Sequence, residues 1–358
     1  MPATVPMFPG DIYDSAARSA ADMALKLSRD DSPAGCAALL KAADDMGWNL
    51  ALLPEDRGGL GLGYEGLTAI AEACGAEGGP LALAGSACAV PELAALCPEP
   101  IRDRLDAALN SGKVMTAALG AMVEDQLRDN GLSLSASGDS VTLTGTLAGI
   151  DGAVPPDHLL VALSFGDKVA LIEVTKESGA SYQVRRRMDT RHALAVTFAT
   201  PTAFTPLAVL DSAAITEVEA RCALVAASEA IGAAGRALDM TIAYLIEREQ
   251  FGVSLSSFQV LRHKTVDIFV ACTVARGTVT EAVLALDSGS ASLRDLALAT
   301  LETRAAASHI GKEVVQLHGG VGMTDVLPAA KLARRLLMLD YEYGSTARTL
   351  AQLAGYPS

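Results

Sequence analysis

The sequence predicts an α+β chain built in three consecutive blocks, helical, then β, then helical. Alanine and leucine recur at three- and four-residue spacing between Ile12 and about Leu109. From Val114 seven short β-prone runs follow, separated by Gly, Asp, Asn and Ser clusters, and from about Asp211 long helix-periodic stretches return. The implied domains are 1–112 (N-terminal helical domain), 113–208 (middle β domain, a small barrel or sandwich) and 209–358 (C-terminal helical bundle).

Composition narrows the class. The chain has 358 residues, 50% of them hydrophobic and 4% aromatic, so it can bury a large core that is mainly helical. A formal net charge of −14 argues against a nucleic-acid partner or an anionic membrane surface, since phosphate binding needs a basic face. Cys36, Cys74, Cys88, Cys97, Cys222 and Cys272 are scattered, without a Cys-x-x-Cys pair or a nearby histidine cluster. That spacing suggests neither a disulfide framework nor a metal site and fits a reducing, cytoplasmic setting. The first residues lack the basic and apolar regions of a signal peptide, and apolar runs such as Leu81 to Val90 are too short to span a bilayer; no membrane insertion is expected.

In order along the chain, helices are expected over Ala16 to Leu27, Cys36 to Met46 and near Tyr64 to Cys74. Gly59, Gly61 and Gly63 do not form a dinucleotide loop, because no strand of a βαβ unit flanks them. Strands are expected at 114–119, 132–137, 140–144, 158–163, 168–174, 182–186 and 193–199; several alternate, as in Leu132-Ser133-Leu134-Ser135 and Val141-Thr142-Leu143-Thr144. Helices are then expected at roughly 213–247, 257–286 and 291–317, with a shorter pair after Pro328.

Two motifs stand out in the last block. Arg248-Glu249-Gln250-Phe251-Gly252, with Phe258-Gln259 beyond it, reads as one helix ending and another starting, with Ser256 or Ser257 as the second helix's N-cap. Alone, a basic residue and a glycine at a helix end are what any C-terminus shows. About sixty residues on comes Gln316-Leu317-His318-Gly319-Gly320-Val321-Gly322, followed by Pro328 and Arg334-Arg335. Together these resemble the C-terminal domain of the acyl-CoA dehydrogenase family, and the helix, β, helix order extends the resemblance over nearly the whole chain.

The resemblance implies a C-terminal four-helix bundle, a middle β-barrel domain, FAD as cofactor and α,β-dehydrogenation of an acyl-CoA thioester. It also implies that Arg248, Phe251, Gly252 and Gln259 cradle one end of the FAD of a neighbouring subunit, and Gln316, Gly319 and Gly320 the other, with Ser345 a further contact. A guanidinium pairs with pyrophosphate, and glycines let backbone N–H groups approach it. The family's catalytic glutamate has two alternative positions. Here they fall on Tyr343, before Gly344-Ser345, and on Cys222, between Arg221 and Ala223. Tyrosine, with an ordinary pKa near 10, is a poor base at neutral pH. Glu342 is therefore the candidate base, provided that the backbone there is irregular.

The half of the site that a subunit builds for its own flavin departs from the family. Ala117-Ala118-Leu119-Gly120-Ala121-Met122-Val123-Glu124 replaces the Thr-Glu-Pro-x-x-Gly-Ser type loop, and Gly149 in Gly145-Thr146-Leu147-Ala148-Gly149-Ile150-Asp151 stands where the flavin-contacting tryptophan is expected. Such asymmetry is tolerable when two different chains share the flavin sites. The expectation is a subunit of an α2β2 acyl-CoA dehydrogenase, resembling the bacterial enzymes that act on steroid side-chain thioesters. The alternatives are a self-sufficient homotetramer using Glu342, or a scaffold without flavin.

Overall fold

A computed structural model describes residues 4–27, 32–78, 81, 83–120, 122, 123, 127, 131–137, 140–165 and 168–355. The N-terminal block comprises α1 (Asp11–Leu27), α2 (Pro33–Asp45), α3 (Gly63–Ala76), a π-helical turn (Ala84–Ala89) running into α4 (Val90–Ala95), and α5 (Glu99–Asn110). Helix α2 starts three residues before the expected Cys36. Ser32 accepts a bond from Gly35 N–H and Pro33 opens the first turn, an N-terminus read from its cap rather than from its apolar face.

The middle block is two four-stranded sheets. Strands β1 (Met115–Ala118), β4 (His158–Phe165), β5 (Lys168–Thr175) and β8 (Ala208–Asp211) form one; β2 (Leu132–Ser137), β3 (Ser140–Asp151), β7 (His192–Phe204) and β6 (Ser181–Arg186) form the other. Their shared core holds Leu159, Val161, Leu163, Ile172, Val174, Leu194, Val196 and Phe198. Leu160, Ala162, Val169 and Leu171, on the opposite face of the first sheet, join the helical core instead. That sheet is thus covered on both faces, which is why β4 reads as an unbroken apolar run rather than an alternating one. Strands β3 and β7 are longer than expected. Their pairing shifts register at Leu143/Gly145 and Ala148/Ile150, so β3 runs on through the paired Gly145, and Gly149 is a bulge inside the strand, not its end.

The last block contains α6 (Ser212–Glu247), a two-strand hairpin of β9 (Glu249–Gln250) and β10 (Val253–Ser254), α7 (Gln259–Asp287), α8 (Leu293–His318), α9 (Pro328–Met338) and α10 (Thr346–Leu353). Helix α6 packs on α3, α7, α8 and α9 and is the axis of the domain. Ser292 and Asp295 close a reciprocal capping box at the start of α8. The cap expected for α7 at Ser256 or Ser257 is corrected. Both serines belong to a 3-10 turn, Leu255–Ser257, that precedes the helix, and Phe258 is the N-cap residue. Their hydroxyls are used within that turn: Ser257 donates back to the Ser254 carbonyl at 2.7 Å, and Ser256 pairs with the Ser254 hydroxyl at 2.8 Å.

Helices α3 and α6 touch backbone to backbone. A Cβ added at Gly75 would lie 1.8 Å from the Glu229 carbonyl oxygen, and one at Gly232 would lie 1.9 Å from that of Glu72. Gly75→Ala and Gly232→Ala must push the helices apart. Each is expected to lower stability by about 2 kcal/mol or more, read as a fall in the urea midpoint, and a neutral result would show that the helices do not meet at these glycines.

Candidate functional site

The first motif does not simply end a helix. Arg248 closes α6 in an extended conformation, its N–H donating to the Tyr244 carbonyl at 2.8 Å. The chain then makes a two-residue hairpin whose tip, Phe251 (φ 58°) and Gly252 (φ 79°), has both residues in the left-handed region. Glycine takes that conformation freely; phenylalanine does so at a cost, and here its ring is 92% exposed. The second motif lies at the same end of the bundle. Gln316 occupies the last turn of α8, and Gly319 (φ 63°) turns the chain into a 3-10 segment, Gly319–Met323. The Tyr244 ring packs on His318 with centroids 4.6 Å apart, and its hydroxyl donates to the His318 carbonyl at 3.4 Å, fixing the two motifs side by side.

Arg248, Phe251, Gly252, Gln259, Gln316, Gly319 and Gly320 are all exposed, and a Cβ built on Gly252, Gly319 or Gly320 meets no atom within 4 Å. Open glycine backbone, an exposed guanidinium and the first residue of α7 suit an anionic pyrophosphate that approaches from outside the chain. The residues therefore fit the tail of a dinucleotide. Ser345 caps α10: its hydroxyl accepts from Arg348 N–H at 3.2 Å.

The interior differs. The backbone at 342–344 is irregular, as a Glu342 base would need: Glu342 is extended and Tyr343 has φ 48°. One guanidinium nitrogen of Arg304, on α8, donates to the carbonyls of Glu342 (2.9 Å), Tyr343 (3.2 Å) and Gly344 (2.9 Å), while another donates to the Thr349 hydroxyl at 2.9 Å. Held this way, Glu342 faces inward, 6% exposed, into a cluster of arginines. Its carboxylate accepts from Arg187, from Arg191 at 2.5 Å and from Arg335 at 2.8 Å. Arg335 also binds Glu229 at 2.7 Å, Arg191 binds Asp189 at 3.1 Å, and Arg187 binds Asp151 at 2.6 Å. Burial alone would raise the pKa of Glu342, but Arg191, Arg335 and Arg187 outweigh it and hold the carboxyl down at about 2. A carboxylate so committed is a weak proton acceptor.

At the two base positions, burial pushes the Tyr343 hydroxyl and the Cys222 thiol well above their ordinary values, reinforced by Asp151 for the first and Cys88 for the second. Neither ionises near neutral pH. Asp151 and Gly149, both in β3, fall in the stretch expected to face a flavin ring: Asp151 holds Arg187, and beside Gly149 there is open space. Of the substituted loop after β1, Ala121 and Glu124 lie outside the described residues.

A cavity of about 290 Å³ opens between the first turns of α6, the start of α8 and α10; Glu219, Ala223, Leu296, Thr300, Tyr343 and Gly344 are among its walls, and Glu342 is not. Glu219, missed from the sequence, is buried at 7% exposure, and its carboxylate lies 3.3 Å from where a Cβ on Gly120 would be. The signal was available: Glu219 sits one helical turn before Cys222 on α6.

The sequence profile of the acyl-CoA dehydrogenase C-terminal domain matches residues 218–355. Acyl-CoA dehydrogenase IpdE2 of Mycolicibacterium smegmatis is 42% identical over 102 residues, 28% of this chain; the aligned stretch spans 31% of that relative's own length. Among solved structures, the ChsE4-ChsE5 complex from Mycobacterium tuberculosis superposes with a TM-score of 0.80 at 19% identity over 99% of this chain and 100% of that one. The Tcur3481-Tcur3483 steroid ACAD G363A variant gives 0.78 at 23% identity over 96% of both chains. The whole chain thus has the acyl-CoA dehydrogenase fold. Its C-terminal domain, over residues 218–355, is similar in sequence to that family's.

Proposed function

We propose that this chain is a subunit of an FAD-dependent acyl-CoA dehydrogenase that lends a dinucleotide cradle to a second, dehydrogenase-like chain. One contrast carries the reading: the cradle residues face outward with open backbone around them, while the interior has a tyrosine at the base position and its neighbouring carboxylate, Glu342, locked by three arginines. Bound FAD would supply the hydride acceptor for oxidation of an acyl-CoA thioester at its α,β carbons. This chain's share is to bind and orient it: Arg248 neutralises pyrophosphate charge, the Gly319-Gly320 turn offers backbone N–H groups, and Gln316 and Gln259 donate at either side.

Apolar surface around the cradle supports a protein partner. Phe251 is joined by Met323 (78% exposed) and Val326 (80%), and α7 leaves Val266, Phe269, Val270 and Val274 exposed at helical spacing. That ChsE4-ChsE5 is a complex of two named chains fits a heteromeric α2β2 assembly, and the steroid named for the Tcur3481-Tcur3483 protein favours a bulky acyl group.

The test is flavin content. The complex with its native partner should carry FAD, and the Arg248→Ala, Gln316→Ala double variant should bind it at least about 10-fold more weakly, since each lost hydrogen bond to a charged group is worth about 1.5–3 kcal/mol. Full retention of FAD removes the cradle assignment. Glu219 favours a second reading, a self-sufficient homomer whose base is Glu219 instead of Glu342, because that carboxylate does line the cavity. A yellow, active protein made of this chain alone and inactivated by Glu219→Gln would replace the first reading.

A further inference from the structure

We infer that Tyr343 is a stopper that closes this chain's own acyl pocket, so that the subunit binds no acyl-CoA thioester in its interior; the inference rests on the family reading above. Tyr343 lines one cavity and touches a residue that lines a second. The outer one, about 290 Å³, has Tyr343 and Gly344 in its wall. The inner one, about 50 Å³, lies between the N-terminal helices and the β domain and is lined by Ser86, Thr116, Asp151 and His192. The Tyr343 hydroxyl reaches the walls of the inner one. It stands 3.4 Å from the Asp151 carboxylate and 3.1 Å from where a Cβ on Gly85 would be, beside the Thr116 hydroxyl, which is 3.0 Å from that same point. The ring therefore stands between the wall of the outer cavity and Asp151, which lines the inner one.

The ring packs against the helical core, but its backbone is not that of an ordinary core residue. Tyr343 is a bulky residue in the left-handed region, a conformation that persists only where the surroundings enforce it, and Arg304 enforces it by gripping three successive carbonyls. The hydroxyl gains one long hydrogen bond inside the protein. Glycine at position 85 leaves room for the hydroxyl, since a larger residue there would collide with it. An acyl chain entering the outer cavity therefore meets an aromatic ring where the inner pocket would begin. The stopper and the absent base act together, because a thioester that cannot seat cannot be held unproductively in this subunit.

The experiment compares the full-length chain with Tyr343→Ala, Tyr343→Gly and Tyr343→Phe. Octanoyl-CoA is titrated calorimetrically, and 1-anilinonaphthalene-8-sulfonate is titrated by fluorescence as an apolar probe indifferent to thioesters. Wild type and Tyr343→Phe, which keeps the ring, should bind no octanoyl-CoA. Tyr343→Ala and Tyr343→Gly should each gain one equivalent of both ligands; glycine suits the positive φ and guards against loss of folding through backbone strain. Wild-type binding of one octanoyl-CoA per chain overturns the inference whatever the variants do. So does a folded Tyr343→Ala protein, with a cooperative melt, that gains neither ligand. Gain of the fluorophore without octanoyl-CoA leaves the stopper standing and counts against the acyl-CoA reading instead.

Discussion

Replacing Glu342 with alanine will destabilise the fold by about 3–5 kcal/mol, the usual result of removing one member of a buried ionic cluster. The residue ties together elements that are remote in sequence. Its carboxylate receives Arg187 and Arg191 from the β6–β7 connection and Arg335 from α9, while Arg335 and Arg191 share Glu229 on α6. Without Glu342, three guanidinium groups lose the acceptor they share. Arg187 keeps Asp151, Arg191 keeps Asp189 and Arg335 keeps Glu229, but the buried N–H groups that faced Glu342 lose that acceptor. The change should appear as a lower denaturant midpoint with the slope preserved. A loss below about 1 kcal/mol would mean that water reaches the cluster and screens it. The same variant bears on function: if activity in a homomer survives this change, Glu342 is not the base.

The second large effect is acid lability. Glu342 has its pKa lowered from 4.5 to about 2. A carboxyl whose folded pKa is depressed adds stability that is complete above its unfolded value and is lost as pH falls toward the folded one. The shift corresponds to about 3 kcal/mol, present above about pH 5 and lost between there and about pH 2. Asp151 works in the opposite sense. Burial, and next the charge of Glu342, raise its pKa, so its protonation on acidification returns some stability. The net acid limb should therefore be shallower than Glu342 alone would give. Urea midpoints measured from pH 7 to pH 2.5 should show wild type and Glu342→Gln converging as pH falls. A gap that stays constant across that range would contradict the pairing.

Much of the architecture was legible because it is written in periodicity. The long helices α6, α7 and α8 lie within a few residues of their expected limits, since apolar spacing persists over many turns, and α7 and α8 stop at Ser288 and Gly319. Strand β8 was hidden: Ala208–Asp211 is only four residues long and runs directly into a helix, so it resembles a lead-in, and only its pairing with β5 makes it a strand. Gly145 and the bulge at Gly149 disguised the true length of β3, and the unpaired stretch 199–201, with Pro201, that of β7. The site divides along the same line. Arg248 and Gln316 belong to compact local motifs, whereas the environment of Glu342 depends on arginines about 150 positions away, which no local pattern announces. Arg304, which shapes the turn around Tyr343, was invisible for that reason.

The row of valines and Phe269 along the outside of α7 has a bearing on how the protein must be made. On the proposed reading, in which a second chain covers that face, a polypeptide synthesised in excess would carry this greasy seam into the crowded cell and clump through it. Balanced output of two gene products, from one transcript or by rapid removal of the surplus, is what that proposal requires.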